Sequence, residues 1–225
     1  MSTDSSPRPY RPGAHAAAHP TRPAVITSSG AFVTFAELEA RSCRLAQALH
    51  ARGLRGGDHV ACVLPNDDRT HEVAFGLQRS GVYYTMVNTH LAAEEAAYIV
   101  NDCGARTLIT SASLAGLAAE LVPLTPGVDL RLMVGEPTAA GYASYDEFVR
   151  DFPGEPVPGE EEGFPMLYSS GSFSRRTNIV GTNWAWVTRC SSMSRRQSSG
   201  SKRSMTTTVP PMRCTVMDHT SGAEW

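Results

Sequence analysis

No stretch of about 18 consecutive apolar residues occurs in this 225-residue chain, so no membrane-spanning helix is expected. The first 23 residues are rich in Pro, Ala, Ser and Arg and have no apolar core of a secretory signal; 1–23 therefore reads as a short disordered lead-in. The five cysteines (Cys43, Cys62, Cys103, Cys190 and Cys214) are odd in number, scattered, and never spaced C-x-x-C. That pattern excludes a disulfide framework and a zinc site, and it makes a reducing cytoplasm the simplest compartment. Charged residues are few, at 19%, and apolar ones, at 41%, fall slightly below a typical globular chain. The length suits one domain or one and a half.

A second absence divides the chain. Leucine is missing from residues 172–225, although it occurs 15 times before them. All three tryptophans (Trp184, Trp186, Trp225) lie in that same tail. Residues 1–171 hold 12 Lys+Arg against 20 Asp+Glu, a net of −8, whereas 172–225 hold 8 against 2, a net of +6. One folded domain does not usually change its vocabulary at one position. The chain reads as 1–23, then an ordered stretch 24–171, then a disordered tail 172–225 of different origin.

What is present between these limits is orderly. Two short apolar runs, 24–27 and 31–35, flank Ser28-Ser29-Gly30 and predict a hairpin. Thr34, with Glu37 three residues on, is a capping box opening a helix through about Arg52, and Gly53 is its stop. Strands are predicted over 59–64, 82–87, 106–110, 130–134 and 164–168. Helices are predicted over 70–80, 92–102, 111–121 and 145–150, with a loop over 152–163. Strand–helix alternation with short links predicts an α/β layered fold with a mainly parallel sheet. Such sheets carry ligands at the carboxyl ends of their strands.

The last predicted strand runs into Ser169-Ser170-Gly171. A strand followed by hydroxyls and glycine suits a phosphate, because glycine lets backbone N–H groups approach the anion and hydroxyls add donors. Taken alone, Ser-Ser-Gly is a common strand-to-turn junction. Three further stretches accompany it in order. They are Val33-Thr34-Phe35-Ala36-Glu37-Leu38, then Gly76-Leu77-Gln78-Arg79-Ser80-Gly81 running through Val87-Asn88-Thr89-His90-Leu91, then Glu94-Glu95-Ala96-Ala97-Tyr98 through Asn101-Asp102-Cys103-Gly104-Ala105. Together they resemble the AMP-forming synthetase and ligase superfamily, its fatty acyl-CoA synthetases in particular. The resemblance spans 24–171.

The resemblance implies an adenylating domain binding ATP, Mg²⁺ and a carboxylic acid, most simply a fatty acid, with CoA as acceptor and a small lid carrying a catalytic lysine. It assigns Ser169, Ser170 and Gly171 to the ATP phosphates. It assigns no catalytic or metal-binding residue, because the family pattern S-S-G-T-T-G-x-P-K-G is left after Gly171: Ser172-Phe173-Ser174-Arg175-Arg176-Thr177-Asn178 follow instead. Nothing later resembles an adenine site, hinge or lid. The expectation is a truncated, inactive ligase whose tail arises from a frameshift near codon 171, with exposed sheet surface that favours aggregation.

The alternatives are a non-catalytic binding protein that uses the basic tail, or a product without function. Arg175-Arg176, Arg195-Arg196 and Lys202-Arg203 beside Trp184 and Trp186 could form a nucleic-acid arm. The clusters are short and unpatterned, so incidental charge is preferred. His71 with Glu72, and His90 near Glu94 and Glu95, read as helix-surface polar residues, Glu160-Glu161-Glu162 as a solvated loop, and Tyr83-Tyr84 as core packing. Ser170 lacks the first glycine of G-x-S-x-G and is not a hydrolase nucleophile.

Overall fold

A computed structural model describes residues 12–168 and the backbone of one further two-residue strand at 187–188. Helix α1 (Pro12–Ala18) comes first, then hairpin strands β1 (Pro23–Ile26) and β2 (Phe32–Thr34) and helix α2 (Phe35–Ala51). Next come β3 (His59–Val63), α3 (Asp68–Arg79), β4 (Tyr83–Met86), α4 (Ala93–Asp102) and β5 (Thr107–Ser111). After a 3₁₀ turn, Ala112–Leu114, follow α5 (Ala115–Leu124), β6 (Leu130–Val134), β7 (Ala143–Ser144), α6 (Tyr145–Arg150), β8 (Phe164–Leu167) and β9 (Val187–Thr188).

Local chemistry explains the element ends. Glu37 N–H donates to Thr34 Oγ1 at 3.2 Å, and Thr34 N–H donates to Glu37 Oε2 at 2.8 Å, which completes the expected capping box of α2. The helix closes at Gly53, whose φ of +87° suits glycine alone; Leu54 N–H then reaches back to the Leu49 carbonyl at 3.0 Å. Helix α3 starts two residues earlier than its apolar pattern indicates, because Asp67 caps it by accepting from Thr70 N–H at 3.0 Å.

Strands β3 to β8 form one sheet in the order β7-β6-β5-β3-β4-β8, with β9 beyond β8, and every pair is parallel. The hairpin β1–β2 stands apart as an antiparallel pair. Alternate strand residues feed two cores. Val60, Cys62, Ile109 and Leu132 pack with Leu45 and Leu49 of α2, Val73 and Leu77 of α3, and Tyr145 of α6. Ala61, Val63, Leu108 and Met133 pack on the other face with Ala96 and Val100 of α4 and Leu121 of α5. The sheet is thus sandwiched by α2, α3 and α6 on one side and α4 and α5 on the other, the three-layer arrangement of a doubly wound domain. Burial on both faces is why β3 reads as an unbroken apolar run. The step from β3 to β4 crosses by one face and the return from β4 to β5 by the other, as right-handed crossovers require.

Two differences from the sequence reading have local causes. Helix α1 lies inside the 1–23 stretch read as a lead-in: Pro12 sits at its first position, and alanines follow. It is held by tertiary contact, with the His15 ring 5.0 Å from the Phe35 ring. Helix α5 begins after the 3₁₀ turn and runs to Leu124, past the expected 111–121, with Pro123 inside its last turn.

Candidate functional site

Strand β8 is the element that delivers the chain to the expected phosphate loop. Ser169, Ser170 and Gly171 themselves lie outside the described residues, as does the tail 172–225 except the backbone of β9. The geometry of the approach is described. Phe164 and Pro165 pair with Tyr83 and Tyr84 of β4, Met166 is buried in the α4/α5 core, and Tyr168 packs on the edge of that core. The Tyr168 hydroxyl donates to Asp102 Oδ2 at 2.8 Å. Tyr83 lies between the His59 ring at 5.1 Å and the Phe164 ring at 6.4 Å, and Tyr84 is buried, so this pair is core packing as expected.

The segment leading into β8 is fastened by a buried cation. Arg79, 3% exposed at the end of α3, puts Nη2 at 2.7 Å from Glu39 Oε1 and Nε at 3.1 Å from Glu160 Oε1. It also donates from Nη1 to Ser42 Oγ at 3.0 Å. Glu160 is therefore not part of a solvated run: it leaves the loop to meet Arg79, while Glu161 stays exposed. Gly163 N–H donates to the Gln78 carbonyl at 2.5 Å. A Cβ on Gly163 would lie 2.4 Å from the Val82 carbonyl oxygen, so only glycine lets the chain pass there.

A second buried charge sits nearer the start of α3. Glu72 is 3% exposed, which corrects its reading as a helix-surface residue; its neighbour His71 is exposed. Its Oε1 accepts from the Tyr145 hydroxyl at 2.8 Å, and its Oε2 lies 3.3 Å from Arg69 Nε and 3.9 Å from Arg41 Nη1. Arg69 also pairs with Asp146 and stands over the Tyr145 ring at 5.3 Å. Burial pushes the Glu72 carboxyl above its ordinary range, and the arginines offset this only in part. The cluster joins α2, α3 and α6.

Glu95 does serve the helix surface, capping α4 by accepting from Ala92 N–H at 3.1 Å, whereas His90 is exposed in the turn before α4, where its backbone N–H donates to Asn88 Oδ1 at 2.9 Å, which corrects its reading as a helix-surface residue. Cys43, Cys62 and Cys103 are free and buried. Burial pushes the Cys43 thiol up to about 12 and that of Cys62 higher still, so neither is a thiolate nucleophile at neutral pH. Among the described residues there is no group of three or more metal-ligating side chains, and no helix is long and apolar enough to cross a membrane.

Comparison with known proteins places these features. The family profile described as AMP-binding enzyme matches residues 13–218. The chain is 36% identical over 169 residues to a fatty acid–[acyl-carrier-protein] ligase of Streptomyces coeruleorubidus, covering 74% of this chain and 31% of that protein. It is 32% identical over 163 residues to a feruloyl-CoA synthase of an Amycolatopsis species, again covering 31% of the relative and 72% of this chain. Among solved structures it is similar to an anthranilate CoA ligase bound to anthranoyl-AMP, with a TM-score of 0.60 and 26% identity over 68% of this chain and 30% of that one. The chain spans about a third of the length of these proteins.

Proposed function

The chain belongs to the AMP-binding enzyme family, and we propose that it carries the opening portion of an AMP-forming acid ligase without that enzyme's activity. In the reaction of the whole enzyme a carboxylate oxygen attacks the α-phosphorus of ATP, and the bond to the pyrophosphate oxygen breaks, giving acyl-AMP. A thiol sulfur then attacks the acyl carbon and AMP leaves, giving a thioester. The acid class is a carboxylic acid with an apolar body, such as a fatty acid, and the acceptor is the thiol of CoA. The relatives named above, acting on fatty, ferulic and anthranilic acids, support the acid class.

One observation carries this reading: β8 of the parallel sheet ends at Leu167, two residues before Ser169-Ser170-Gly171, at the carboxyl end of the strands, where a loop's N–H groups and hydroxyls would meet a phosphate. In this role Ser169 and Ser170 would donate hydroxyls, and Gly171 would open the backbone to the anion. Mg²⁺, when bound, would neutralise charge on the departing pyrophosphate. Beyond Gly171 the residues present do not fit the rest of the cradle: Ser172 to Asn178 supply neither the second glycine nor the lysine. No step is therefore assigned to them.

Purified chain is expected to show no acid-dependent exchange of pyrophosphate into ATP, whether fatty or aromatic acids are supplied. Exchange clearly above a blank would overturn the assignment of inactivity. We further infer that the reading frame changes near codon 171, because the composition break and the motif break coincide there. The family match runs on to residue 218, across that point, and the coding DNA decides between a change of frame and a continuous family segment.

A further inference from the structure

The residue that follows β8 is tied to a distant βα unit. The hydrogen bond from the Tyr168 hydroxyl to Asp102 Oδ2, at 2.8 Å, spans 66 positions in sequence. Asp102 is the last residue of α4 and Tyr168 the first after β8. A carboxylate at a helix C-terminus opposes the partial negative charge of the last carbonyls, so the position of Asp102 is locally unfavourable. A phenolic donor offsets that cost, and bonds to charged acceptors are the stronger ones. The tyrosine is held twice: its ring packs against the α4/α5 core while its hydroxyl reaches Asp102.

We propose that Tyr168 and Asp102 are positioning residues that fix the C-terminal end of β8, from which the chain passes to Ser169-Ser170-Gly171. Met166 is buried two residues before Tyr168, and Leu167 between them is exposed, so the side chain of Tyr168 is the last described anchor before the loop. Its consequence for phosphate rests on the reading proposed above; the anchor itself does not.

Hydrogen exchange on the full chain tests it, comparing wild type with Tyr168→Phe, Asp102→Ala and Asp102→Asn. In Tyr168→Phe and Asp102→Ala, residues 164–168 are expected to exchange about tenfold faster, while 107–111 in β5 keep the wild-type rate. Asp102→Asn keeps an acceptor oxygen and is expected to restore most of the protection. Unchanged exchange over 164–168 in Tyr168→Phe would overturn the proposal, as would equal loosening of both segments. If Tyr168→Phe fails to fold, the contrast between Asp102→Ala and Asp102→Asn decides in the same way. Inorganic pyrophosphate separates the two readings. Protection of 169–171 in wild type that weakens in Tyr168→Phe supports both. A loosened 164–168 with no pyrophosphate protection in wild type upholds the anchor and counts against the phosphate loop.

Discussion

The two ends of α3 carry buried charges of opposite sign, and they do different work. At its C-terminal end a single cation, Arg79, is shared by two carboxylates, Glu39 and Glu160. Nearer its N-terminal end a single carboxylate, Glu72, is shared by Arg69 and Arg41 and takes a hydrogen bond from Tyr145. Arginine spreads its charge over a fork that can face two acceptors and two hydroxyl or carbonyl groups at once, so Arg79 stays charged within the core. A carboxylate has fewer ways to recover lost hydration, and burial raises the Glu72 carboxyl in spite of its arginines. The first cluster fastens the segment that enters β8; the second fastens α6.

Breaking the stronger cluster gives the largest expected effect. Arg79→Ala strands Glu39 and Glu160 with side chains only 15% and 13% exposed, and is expected to cost about 3–5 kcal/mol in urea unfolding. A cost below about 1 kcal/mol would make the cluster incidental. Next is Gly163→Ala, which drives a methyl into the Val82 and Leu77 carbonyls and is expected to cost about 1–3 kcal/mol, with the loss concentrated in exchange protection of β8. Protection lost equally from every strand would separate Gly163 from the docking of β8.

The smallest effect sharpens the contrast in sign. Burial holds the folded carboxyl of Glu72 above the ordinary carboxyl value of 4.5, so folding favours its protonated form. Its contribution is fully present below about pH 4.5 and is lost as pH rises through the raised folded value. Glu72→Gln removes this dependence. The stability of the variant minus that of wild type should therefore rise between about pH 4 and the folded value. A difference that falls over that window would mean that Arg69 and Arg41 outweigh burial.

Much of the scaffold was legible because local chemistry and tertiary fold agree. Thr34 and Glu37 form the capping box that their spacing predicts, and the apolar run at β3 is buried on both faces. The pairing of Arg79 with Glu160 and of Tyr168 with Asp102 was not legible. Each joins residues far apart in sequence, and a lone Arg in a helix or a Glu in an acidic run carries no sign of its partner. Helix α1 was hidden by Pro, Arg and His around an alanine stretch whose helicity depends on packing against α2. Ser169, Ser170 and Gly171 are assigned through the family pattern alone, since Ser-Ser-Gly has no periodicity of its own, and they lie outside the described residues.

The central claim is that the family's phosphate loop opens at Ser169 and is broken after Gly171. Translating the coding DNA around codon 171 in all three forward frames tests it most directly. The account predicts a continuation Thr-Thr-Gly-x-Pro-Lys-Gly in another frame, joined in register to Gly171. A coding sequence with no such continuation in any frame would contradict it, and residues 172–225 would then be a segment native to this chain.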